Sequence, residues 1–193
     1  RSEAWVGENM ALTRARVVAG DPELAEATEV EVEAILALPR DRAKTVAEAV
    51  KMRALIEEEK PPRDLWDIKL VPGGLIDLEF IAQVAVLTHQ LEGEGKATGT
   101  ATVLSRLAPG FADAQMKQEL SDAFGLYLTL TQIIRLCLTG HFEREDIPPG
   151  LSDLLLTATD LPDIGVLEAH LTETAGRVRG HFERLLGGKA ERA

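Results

Sequence analysis

Trp66 to Gln83, WDIKLVPGGLIDLEFIAQ, gathers polar residues in a pattern that core packing does not ask for. Lys69 supplies a cation, Gly73 and Gly74 open a helix, and Asp67, Asp77 and Glu79 supply carboxylates. A helix N-terminus presents free backbone N–H groups and the positive end of its dipole. Together these are the parts of a phosphate and metal neighbourhood. A glycine pair before a helix is also simply a turn, and the residues alone leave both readings open. Asp77 and Glu79 stand two apart, roughly 200° round a regular helix, so they should not share one ion. Asp77 falls in the first turn, where an acid caps the helix end and could also contact a ligand. Glu79 neighbours Gln83 at i+4. A carboxylate in so apolar a helix needs a partner, which Arg14 or Arg16 can supply. A structural ion pair there competes with a catalytic role.

The elements around this stretch follow from periodicity. Asp67, Ile68 and Lys69 read as a short extended piece between Pro61-Pro62 and Pro72-Gly73-Gly74. From Leu75 onward the chain is apolar almost all round, as a buried helix is, to about Gln90. Upstream, residues 4–19 read as one helix; on it Arg14 and Arg16 point to different sides unless the helix ends early. Two solvated arginines compete with a ligand-facing pair. Asp21-Pro22-Glu23 starts a second helix, running to about Leu38 with Glu29, Glu31 and Glu33 on its solvated face. A third spans about 45–59 and stops before the two prolines. Downstream, helices are expected over 100–107, 113–138, 151–158 and 163–186. The loop from Glu92 to Gly99 is the candidate boundary between residues 1–92 and 93–193, and the polar run 141–150 reads as mobile. The expectation is an all-α domain of six to eight helices, in one bundle or two sub-bundles.

Composition sets further bounds. The chain has 193 residues, 45% apolar and only 4% aromatic, with a formal net charge of -11. That charge argues against nucleic acid, whose phosphates would be repelled over most of the surface. No apolar run reaches the length of a membrane span. The single Cys137 cannot form an intrachain disulfide; it reads as a small buried hydrophobe, and a reducing cytoplasm suits it. His170 and His181 share a helix face but lie roughly 16 Å apart, too far for one ion. No Cys/His metal pattern, nucleophile elbow, Walker A or dinucleotide fingerprint is present. The chain opens Arg-Ser-Glu with no Met, which reads as a fragment of something longer.

Several stretches together are more specific. AWVGENMALTRARVVAGDPEL (4–24), LPR (38–40), KMR (51–53) and DIKLVPGGLIDLEFIAQ (67–83) resemble the bifunctional glutamine synthetase adenylyltransferase/adenylyl-removing enzyme family. They are similar to the helical domain that follows a nucleotidyltransferase domain there. GGLIDLEF looks more like the C-terminal, adenylylating half, and an end shortly after the last helix suits a protein C-terminus. The related PII uridylyltransferase has a similar pattern. Gly7 stands where the family commonly has Trp, and Asn9 where it commonly has His. The resemblance implies Mg²⁺-ATP-dependent transfer of AMP to a tyrosine of glutamine synthetase, in the cytoplasm, with the PII signal protein and the preceding nucleotidyltransferase domain as partners. The family's metal aspartates lie in that preceding domain, in a G-S…D-x-D pattern that this sequence lacks, so no catalytic or metal residue is expected here. What it implies here is a supporting wall. Lys69 would face the phosphates, Asp77 and the Gly73-Gly74 turn the nucleotide, and Arg14 and Arg16 would complete the site; Asp67, Glu79 and Gln83 would support it. The adenylyl-removing half, and a docking domain without nucleotide contact, remain the alternatives.

Overall fold

The computed structural model describes residues 6–93, 97–140 and 142–187. Among these there are eight α-helices and no strand. They are α1 (Val6–Leu12), α2 (Pro22–Leu36), α3 (Arg42–Glu59), α4 (Leu75–Leu87), α5 (Thr100–Ser105), α6 (Ala114–Cys137), α7 (Pro149–Thr159) and α8 (Ile164–Leu185), with a 3₁₀ turn at Arg144–Asp146. Four begin at an aspartate whose carboxylate accepts an amide of the first turn: Asp21, Asp41, Asp113 and Asp163. Each such cap is worth about 1 kcal/mol. No helix of the described residues is long and apolar enough to cross a membrane.

α4 is the hub. Its sequence is apolar on every side, and it packs against α1, α3, α5, α6 and α8. Leu78, Ile81, Val84 and Leu87 are fully enclosed, each stabilising the fold by about 1.5–3 kcal/mol. The apolar stripes of α6 and α8 close over it through Leu120, Tyr127, Leu167, Leu171, Val178 and Phe182. One core thus runs on both sides of the 92–99 loop, from Met10 to Leu186.

Several expectations need correction. The first helix ends at Leu12, not Ala19. The Thr13 hydroxyl and the amides of Thr13, Arg14 and Ala15 close tight turns onto Met10, Ala11 and Leu12, and the chain leaves as coil. Asp67–Lys69 is not extended. Leu70 and Val71 donate back to the Asp67 carbonyl at 2.8 and 3.1 Å, because Ile68 and Val71 must both reach the core. Cys137 is exposed, as is Leu136 beside it at 87%, so the end of α6 lies outside the core. The 142–150 segment is anchored: Phe142 is buried and its ring centroid lies 4.1 Å from that of Trp66. His141 lies outside the described residues. Asp113, Asp163 and Asp41 also set the starts of α6, α8 and α3, the last three residues earlier than periodicity suggests.

Candidate functional site

Asp77 stands in the first turn of α4 with no exposure at all. A carboxylate there survives only with several donors. It has three. Arg53 of α3 gives Nε to Oδ1. The Gly73 amide gives its N–H to Oδ2 at 2.7 Å, and Arg179 of α8 gives Nη1 to Oδ2 at 3.2 Å. Glu57 balances the second positive charge, with Oε1 3.2 Å from Arg53 Nη2 and 2.8 Å from Arg179 Nη1. Arg179 also pairs with Glu183 at 3.0 Å and covers the Phe182 ring. Burial disfavours the Arg179 guanidinium, but Asp77, Glu57 and Glu183 more than offset it and hold its pKa above the ordinary value. Burial, then the Asp77 charge, pushes the Tyr127 phenol up as well.

The Gly73-Gly74 turn is shaped by close packing. Gly73 has φ +81°, and a Cβ there would sit 1.9 Å from the Ala175 carbonyl oxygen of α8. At Gly74 a Cβ would sit 2.2 Å from the Ile68 carbonyl oxygen. The amides expected to face an anion all donate within the protein. Gly73 donates to Asp77, Gly74 to Val71, Leu75 to Ile68, Ile76 to Lys69 and Asp77 to Gly74.

Lys69 rides on this turn, exposed, with no side-chain partner among the described residues. Asp67, half-buried, contributes its carbonyl to the same turn. Glu79 lies on the other side of α4, as the two-residue spacing requires, and pairs with Arg14 at 3.0 Å. Arg14 reaches it because α1 has already ended. Gln83 is buried and lines a small hollow with Thr13, Arg14 and Thr100; it makes no hydrogen bond to Glu79. Arg16 is exposed on the coil beyond Arg14. The structure therefore brings Asp67, Lys69, Gly73, Gly74 and Asp77 together on one face of α4, and Arg14, Glu79 and Gln83 on another. Asn9 is buried and accepts from Arg40 at 3.2 Å. Among the described residues no three His, Cys, Asp or Glu side chains come together as a metal site.

Arg53, Glu57 and Arg179 were not among the residues that sequence reasoning selected. Arg53 carried one signal, its place in the KMR stretch; Arg179 sits 102 residues from Asp77, beyond the reach of any local pattern.

The chain is similar to known proteins over nearly all of its length. The family model described as GlnD PII-uridylyltransferase matches residues 50–186. A bifunctional glutamine synthetase adenylyltransferase/adenylyl-removing enzyme of Mesorhizobium japonicum is 67% identical over 96% of this chain and 19% of its own length. Enzymes of the same description from Brucella suis and Bartonella quintana are 44% and 46% identical over 99% and 96% of this chain, again 19% of their own. The chain belongs to the family that the PII-uridylyltransferase model describes, as an all-α domain that spans about a fifth of the length of the adenylyltransferase/adenylyl-removing relatives it matches.

Proposed function

We propose that this domain forms one wall of an adenylyl-transfer site, in an enzyme that uses Mg²⁺ and ATP to place AMP on a tyrosine of glutamine synthetase in the cytoplasm. The adenylylating half is the preferred home, with the preceding nucleotidyltransferase domain opposite the wall and the PII signal protein as regulator. The observation that carries the reading is the combination of 67% identity with an enzyme of that description and an uncommitted cation, Lys69, on a braced turn. Magnesium and ATP supply a polarised α-phosphorus and a pyrophosphate leaving group when bound. This domain's residues do more limited work. Lys69 offsets charge on the phosphates, the Gly73-Gly74 turn and Asp77 hold the backbone beneath it, and Arg14, tied to Glu79, fixes the strand of coil that carries Arg16. On this reading the metal ligands are supplied by the preceding nucleotidyltransferase domain.

In the full-length enzyme Lys69→Ala is expected to raise KM for ATP about ten- to hundredfold, the worth of one hydrogen bond to a charged group. This domain alone, given glutamine synthetase, ATP and Mg²⁺, is expected to transfer no AMP. Transfer by the domain alone would move the metal chemistry onto Asp77, Glu79 or another acid of this chain. A second reading, a docking domain without nucleotide contact, draws on the exposed apolar side chains of α2. It requires unchanged ATP use and weakened protein binding in Lys69→Ala. The adenylyl-removing half, where phosphate is the nucleophile, would show the same Lys69 dependence for phosphate.

A further inference from the structure

Lys69 has no side-chain partner among the described residues, so its position there is set by its backbone. That backbone is tied to three helices. Arg53 Nη2, from α3, donates to the Leu70 carbonyl at 3.2 Å, one residue beyond Lys69. Asp77, from α4, accepts from the Gly73 amide at 2.7 Å. The Ile76 amide donates to the Lys69 carbonyl itself at 3.3 Å. Arg179, from α8, closes the arrangement on the second Asp77 oxygen and on Glu57. Gly73 is pressed against Ala175, so α8 also limits the turn from outside.

This network is a poor device for stability alone. Taking an Arg–Asp pair wholly out of water costs desolvation that its attraction roughly repays, and an apolar replacement of similar shape often does as well or better. Arg53 Nη1 is buried without a hydrogen-bond partner among the described residues, which adds a further cost. What charged groups provide in exchange is direction: each donor fixes its acceptor to within a few tenths of an ångström. Here two of those acceptors and donors, the Leu70 carbonyl and the Gly73 amide, belong to the turn.

We infer that Arg53, Asp77 and Arg179 are positioning residues, which hold the 67–74 turn so that Lys69 meets a nucleotide phosphate at a fixed place. The inference rests on the proposed contact of Lys69 with phosphate and assigns Asp77 to bracing that contact instead of touching the ligand. Arg179 is the informative member, because it is 29% exposed and its loss leaves the Arg53–Asp77 pair in place.

The test uses the full-length enzyme with Lys69→Ala, Arg179→Ala, Asp77→Asn and the Lys69→Ala/Arg179→Ala double variant. Each is measured for KM for ATP, kcat of AMP transfer, thermal unfolding and amide exchange at Gly73. Arg179→Ala is expected to raise KM for ATP about tenfold with a smaller change in kcat, since a displaced binding group loses affinity even when the chemistry is intact. Gly73 exchange is expected to quicken, and Arg179→Lys to restore part of KM. The double variant should be no worse than Lys69→Ala, because a brace has nothing to hold once the lysine is gone. Asp77→Asn should follow the same pattern; if it fails to fold, Arg179→Ala alone decides. Folded Arg179→Ala enzyme with wild-type KM, or a double variant whose losses multiply, would overturn the positioning role while leaving Lys69 as a phosphate ligand. A silent Lys69→Ala would remove the ligand reading first, and the brace with it.

Discussion

At Gly73 the backbone and its surroundings make the same demand. Its φ of +81° is strained for any other residue, and the Ala175 carbonyl occupies the place of a Cβ. Gly73→Ala should therefore cost about 2–4 kcal/mol, strain plus forced movement of α8, read as a lowered denaturation midpoint. Tyr127 makes the opposite case. Its hydroxyl is buried with no hydrogen-bond partner among the described residues, so Tyr127→Phe should leave stability unchanged within about 0.5 kcal/mol or raise it; a clear loss would show that the hydroxyl is satisfied. The place of Asp77 in the first turn and its separation from Glu79 were legible from spacing. Its partners were not. Arg53 and Arg179 stand 24 and 102 residues away, and no period in a helix pattern reaches that far. Glu79 was legible in one more respect: a carboxylate in an apolar helix requires a cation, and Arg14 supplies it. That pair is partly solvated, so its removal should cost less than about 1 kcal/mol.

Among the elements, α4 carries the most. Leu78→Ala would open a cavity in the enclosed core around α4 and should cost about 2–5 kcal/mol in equilibrium unfolding. α6 and α8 are joined by a polar tie as well as by apolar stripes, since Glu119 meets the His181 ring. The side-chain bond from Gln115, then that from His181, holds the Glu119 carboxyl below its ordinary pKa, against a smaller effect of burial. A carboxyl depressed on folding adds stability above its unfolded pKa, and that addition is lost as pH falls through the folded value. Glu119→Gln should thus lower stability at neutral pH, and the gap to the parent should close on acidification below the ordinary carboxylate range. A gap independent of pH would mean that packing, not charge, holds the pair. Helix starts at Asp21, Asp113 and Asp163 and the all-round apolar α4 could be read from the chain. The early end of α1 could not, because Thr13 closes the turn locally while Arg14 is drawn to another helix. The exposure of Cys137 escaped for a related reason: an apolar run at a helix end does not say whether a partner covers it.

For the molecule as a whole, packing is uneven. α3 to α8 share one core, α1 joins it through Met10, and α2 rests on α1 without a single buried residue. Leu24 and Val30 of α2 are 68% and 58% exposed. A 15-residue helix with so little tertiary support is marginal in water, whatever its caps. In hydrogen exchange α2 should open well before α4, by local rather than global unfolding. The consequence reaches beyond exchange. A protease acting briefly on the native protein should find α2 first, yet the cut need not release α1. The Arg14–Glu79 pair, the Arg40–Asn9 bond and buried Met10 hold α1 to the body from both sides of the break. Limited digestion should then yield a nicked molecule whose two pieces elute together from a sizing column and part only in denaturant.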